Sequence, residues 1–124
     1  MFKIIDVVAG PIRLPAYDDK LDLGNIVSIK TVDGDIGFTL GNSLNPFGII
    51  AKADCSGILS VFCSMIIFQT DKFEHDQKYD KGDLLYSNDC GIFTNRKVDD
   101  NALLLGAVND NYFNENSYIE IRLI

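Results

Sequence analysis

The sequence predicts an all-β fold, a compact β-barrel or sandwich, and three observations lead there. Apolar residues alternate with polar ones in short runs, and no long segment keeps them at i, i+3, i+4 and i+7 as an amphipathic helix would. Gly, Asn and Asp break the chain roughly every eight to twelve residues, the spacing of strands joined by turns. The second half of the chain also repeats the strand plan of the first.

Taken in order, the strands expected are Phe2 to Val8, Asn25 to Lys30, Ile36 to Leu40, Phe47 to Ala53, Ile58 to Gln69, Asp83 to Ser87, Ile92 to Asn95, Leu103 to Val108 and Tyr118 to Leu123. Their β-branched and aromatic side chains suit a pleated, half-buried surface. Between the first two, Pro11 and Pro15 bracket Ile12-Arg13-Leu14. Proline lacks the N–H that a central strand must donate, so this extended piece belongs on an edge or a surface. Val32-Asp33-Gly34-Asp35 is the clearest hairpin signal, because Asp-Gly supplies the positive φ angles of a tight primed turn. Asn88-Asp89-Cys90-Gly91 plays the same part later.

The repeat emerges at an offset of 58 residues, where Asp18, Lys20, Asp22 and Gly24 fall on Asp76, Lys78, Asp80 and Gly82. Phe47-Gly48-Ile49-Ile50 then falls on Leu105-Gly106-Ala107-Val108, and Val61 to Ile66 on Ile119 to Ile124. One all-β domain over residues 1–124 is expected, with a pseudo-repeat of 9–66 and 67–124. Gly24 and Gly82 sit where a polar turn bends into an apolar strand. Gly48 and Gly106 sit inside strands, where glycine marks a bulge or the close approach of another backbone. Around Asp33 and Asp89 the copies match only after a shift of about two residues, which a hairpin of different length explains.

A chain of 124 residues with 47% hydrophobic and 23% charged residues is large enough for one ordinary core. The net charge of −7 and scattered Lys and Arg argue against a nucleic-acid partner, since phosphate binding needs clustered positive charge. Apolar runs such as Met65 to Phe68 are far short of a helical membrane span, and Met1 to Asp6 lack the features of a signal peptide. Synthesis and retention in a cytosol are expected.

No catalytic constellation stands out, and no enzyme is expected. Cys55, Cys63 and Cys90 form an odd set without a C-x-x-C pair, which fits neither a disulfide framework nor a zinc site. Cys63 reads as a small core residue within its apolar run. His75 is the single histidine, in Phe73-Glu74-His75-Asp76, and reads as part of a solvated linker. The acidic groups at Asp18-Asp19, Asp33 and Asp35, Asp76, Asp80 and Asp83, and Asp99-Asp100 lack the ordered spacing of a calcium loop and read as turn residues. Gly34 and Gly37 precede a strand, whereas a phosphate loop opens a helix. No metal and no cofactor are expected. Most of the eight Phe and five Tyr belong to the core, while Tyr17, Tyr112, Phe113 and Tyr118 are better placed to anchor a partner.

The segment from Tyr79-Asp80-Lys81-Gly82-Asp83-Leu84-Leu85 through Ser87-Asn88-Asp89-Cys90-Gly91-Ile92-Phe93-Thr94, then Leu105-Gly106-Ala107-Val108 and Tyr118 to Leu123, resembles small capsid decoration or cement proteins of tailed bacteriophages. Through the repeat, residues 17–66 share the likeness more loosely. The resemblance implies a β-rich, non-enzymatic subunit on the outside of a virion capsid. It would be made in the host cytoplasm, would bridge neighbouring major capsid subunits, and would stabilise the head after expansion. Several such proteins are trimers; two copies of the unit in one chain imply that one molecule fills a site that a dimer fills elsewhere. Copies of the chain itself and other head proteins are further possible partners. Ile12, Arg13, Leu14 and Pro15, in the Ala9 to Ala16 arm, with Tyr17, Tyr112 and Phe113, are the expected contact residues. The alternative is a carbohydrate- or host-surface-binding module of a phage fibre or tail.

Overall fold

A computed structural model describes residues 1–110 and 117–124; Tyr112 and Phe113 lie outside the described residues. The protein is all-β, and among the described residues there is no helix. Among the described residues eleven strands follow one another: β1 (Phe2–Val7), β2 (Ile12–Pro15), β3 (Ile26–Val32), β4 (Asp35–Leu40), β5 (Gly48–Ala53), β6 (Ile58–Phe62), β7 (Ile66–Thr70), β8 (Leu84–Ser87), β9 (Phe93–Thr94), β10 (Gly106–Asp110) and β11 (Ile119–Leu123). They form a five-stranded sheet in the order β2-β6-β5-β3-β4 and a six-stranded sheet in the order β1-β7-β11-β10-β8-β9. In the five-stranded sheet the two outer strands also meet, through a parallel bridge between Ala16 and Phe38, so it curls into a nearly closed barrel.

Set β2, β6, β5, β3 and β4 against β7, β11, β10, β8 and β9, and the strand order is the same in both sheets. Val27 pairs with Gly48 as Leu85 pairs with Gly106. A bulge interrupts β5 between Ile50 and Lys52 and β10 between Val108 and Asp110. The turns that feed β3 and β8 also match. Gly24 N donates to Ile50 O and Gly82 N to Val108 O, each at 2.8 Å, with φ of 87° and 93° at the two glycines. Asp22 N donates to Asn25 Oδ1 at 2.9 Å and Asp80 N to Asp83 Oδ2 at 3.0 Å, so a side chain three residues on closes the turn in each half. Gly48 and Gly106 lie so close to the neighbouring strand that an added Cβ would strike the carbonyl oxygen of Phe62 or of Arg122.

Hairpin length is where the halves part. Asp33 and Gly34 have φ of 51° and 85°, the primed two-residue turn expected, and β3 and β4 pair from Val27–Leu40 to Val32–Asp35. The later turn is longer: Asn88 N donates to Ile92 O at 2.9 Å, and Asn88 Oδ1 accepts from Cys90 N and Ile92 N. Only two pairs, Tyr86–Thr94 and Ser87–Phe93, follow it.

Neighbouring residues on a strand face opposite ways, and the five-stranded sheet buries both faces. Val27, Phe38, Ile50, Leu59 and Val61 form a cluster inside its curl. Ile26, Ile49 and Phe62, on the other face, join the larger cluster that includes Phe68, Phe93, Val108, Ile119 and Ile121 of the six-stranded sheet. The outer face of the first half thus seals the inside of the second. Removing each such side chain from water contributes about 2 kcal/mol.

Several expectations are corrected. Ile58 to Gln69 is not one strand: Cys63, Ser64 and Met65 form a turn between β6 and β7, with Met65 at φ 56°. Cys63 is therefore exposed rather than core, and Val61 to Ile66 does not run as a strand matching Ile119 to Ile124. The last pairing instead sets Gly106 opposite Leu123. β10 starts at Gly106, leaving Leu103 and Leu104 outside it and exposed. The segment around Phe73 is not wholly solvated: Phe73 is buried and bridges Phe93 in parallel.

Candidate functional site

Exposed apolar side chains on the curled sheet make the most distinctive surface. Ile12 lies opposite Val61, Ile29 opposite Phe38, and Ile36 opposite Thr31. Directly opposed residues share a face, so Ile12, Ile29 and Ile36 continue the face that carries the buried Val61 and Phe38. They are nonetheless 40%, 42% and 48% exposed. The cause lies in the hairpin: β3 is buried from Ile26 to Ser28 and exposed from Ile29 to Val32, because β3 and β4 outrun the strands beside them. The interior of the barrel opens into an apolar lip.

The contact residues expected from the sequence are divided by the structure. β2 is an edge strand, as two prolines require, but it is no free arm: Ile12 to Pro15 pair with Val61 to Ile58 of β6. Ile12 belongs to the lip, whereas Leu14 is half-buried against the inner cluster. Arg13 points to the opposite side, where its guanidinium lies 3.3 Å from Asp54. Together with Lys52, Ile58 and Ser60 this pair lines an open groove. The Tyr17 ring lies against Gly37, and its N–H donates to Phe38 O at 2.8 Å, so it closes the barrel seam and is half-buried. Tyr118 is also half-buried. Gly24, Gly48, Gly82 and Gly106 do backbone work within the sheets and their turns.

One carboxylate cluster went unseen in the sequence. Glu74 accepts hydrogen bonds from Asn88 Nδ2 at 2.9 Å and Thr94 Oγ1 at 2.7 Å, and its carboxylate lies 3.2 Å from Arg96 Nε. Burial would raise its pKa, but the bonds from Asn88 and Thr94 and the charge of Arg96 outweigh it and hold the carboxyl below its ordinary value. The Tyr79 hydroxyl donates to Glu74 O at 2.8 Å; burial, with the charges of Glu74 and Asp76, pushes its pKa up. In the first half Asp18 makes a similar contact from a different position: Thr39 Oγ1 and Leu40 N donate to it and lower its pKa. A pair of aromatic residues in an otherwise polar stretch, Phe73 and Tyr79, was the available signal for this cluster. It ties Glu74 to β9 and to the turn that leads into it.

His75 is exposed, stacks on Phe73 with ring centroids 4.1 Å apart, and lies 2.9 Å from Asp71 O. Asp83 is occupied by its turn and by Asn95 Nδ2 at 3.3 Å. Among the described residues no three His, Cys, Asp or Glu side chains stand together as metal ligands would. No protein-family model and no curated protein matches the chain.

Proposed function

We propose that the protein is a virion structural subunit that binds the outside of a tailed-phage capsid and stabilises the head by bridging major capsid subunits. The observation that carries this reading is the apolar lip made by Ile12 of β2 with Ile29 and Ile36 of the β3–β4 hairpin, which extends beyond its sheet. Exposed apolar side chains grouped on one face mark a surface that a partner covers. The likeness of Tyr79 to Leu123 to capsid decoration proteins supplies the kind of partner. A two-sheet body with an apolar grip suits a role that needs no chemistry. A subunit that binds only the assembled lattice stabilises it by its own binding free energy, repeated over many equivalent sites.

The test adds purified protein to expanded shells that lack it. Saturable binding and a higher shell melting temperature are expected, both lost in an Ile29→Asp/Ile36→Asp variant that keeps its own melting transition. Absence of binding, or binding indifferent to that variant, refutes the reading. Glycan-array binding without shell binding would favour the carbohydrate module in its place.

A further inference from the structure

β1 is the outermost strand of the six-stranded sheet, and among the described residues no strand lies on its far side. Edge strands invite pairing with another chain, a tendency blunted by short length, proline, bulges or charges that meet no opposite charge across the new pairing. β1 has six residues, Phe-Lys-Ile-Ile-Asp-Val, no proline, and exposure from Lys3 onward.

Its register against β7 sets where its charges point. Lys3 lies opposite Gln69 and Asp6 opposite Ile67, with a bulge between Ile4 and Asp6. Gln69 and Ile67 are two apart on a regular strand, so they share the outer face, and Lys3 and Asp6 share it too. Three residues apart, they would face opposite ways without Ile5 as the extra residue. Phe2, Ile4 and Val7 take the inner face, opposite Thr70, Phe68 and Ile66.

The strand is consequently complementary to itself. We propose that β1 pairs antiparallel with β1 of a second copy about a twofold axis, joining the two six-stranded sheets edge to edge. The axis passes through the Ile4-Ile5 bulge. Lys3 then faces Asp6 of the second copy on the outer side, twice by symmetry, and Phe2 faces Val7 of the second copy on the inner side. Without the bulge, a twofold axis would require each residue to meet one of equal parity, and Lys3 would never face Asp6. This inference is independent of the capsid reading.

Sedimentation velocity across a concentration series is the test. A reversible dimer is expected by ~100 µM, the weak range of a small interface. Asp6→Lys sets like charges opposite each other twice and should weaken association about tenfold or more. The double exchange Lys3→Asp/Asp6→Lys should restore it to within about threefold of the original. Amide exchange at Ile4 to Asp6 in the unaltered protein should slow as concentration rises, a readout that does not depend on any variant folding. A monomer throughout, a dimer indifferent to Asp6→Lys, a double exchange that fails to recover, or concentration-independent exchange in β1 would each overturn the proposal.

Discussion

Replacing Glu74 with alanine should cost the protein about 3 kcal/mol. Its carboxylate, 14% exposed as a side chain, accepts from Asn88 and Thr94 and pairs with Arg96. A hydrogen bond to a charged acceptor contributes about 1.5 kcal/mol or more, and the donors left behind are only partly reachable by water. The exposed Arg96 bridge adds no more than about 0.5 kcal/mol. For a chain of this size a loss of about 3 kcal/mol lowers the melting temperature by roughly 10 °C. The pH dependence is the sharper test. The folded carboxyl titrates below its ordinary value of 4.5, so its contribution is complete above that value and fades as pH falls through the lower, folded one. Glu74→Gln keeps the shape and removes the charge, so its deficit against the unaltered protein should be largest near pH 7 and close towards pH 3. Urea denaturation at both pH values measures it. A Glu74→Ala loss below about 1 kcal/mol, or a Glu74→Gln deficit equal at both pH values, would refute the account.

Gly48→Ala and Gly106→Ala should each cost about 2 kcal/mol or more, because the new methyl group meets backbone of a paired strand that cannot withdraw. Gly10→Ala, with nothing within 4 Å, should be near neutral; equal melting temperatures for all three would contradict the close approach. Cys55, Cys63 and Cys90 should all alkylate in the folded protein, and a Cys63 that reacts only after denaturation would contradict its place in the turn after β6.

Much of the architecture was legible because it rests on local chemistry. Alternation gave the strands, Asp33-Gly34 gave a primed turn, and Pro11 and Pro15 gave an edge. The break at Cys63 was not legible, since Ile58 to Gln69 is mostly apolar with no glycine, proline, Asn or Asp to mark a turn, and the strand that follows Met65 is set by its meeting with β1 and β11. Nor was Glu74, whose partners lie 14 to 22 residues away in sequence. At the candidate surface, Ile12 was recognised but Ile29 and Ile36 were not. An isoleucine in an alternating strand reads the same whether a neighbouring strand covers it or a hairpin carries it past the sheet.

The sealing of one half by the other has a bearing on how the sequence is free to change. Ile26, Ile49 and Phe62 hold positions that in the second sheet belong to Leu84, Ala107 and Arg122. Ile26 is fully enclosed, while Leu84 is 49% exposed. A substitution tolerated in one row would be penalised in the other. The turns escape this conflict, since Gly24 and Gly82, and Asp22 and Asp80, make the same bonds in both halves. The two halves accordingly make the same demands on sequence at these bends and different ones along the outward rows of their strands.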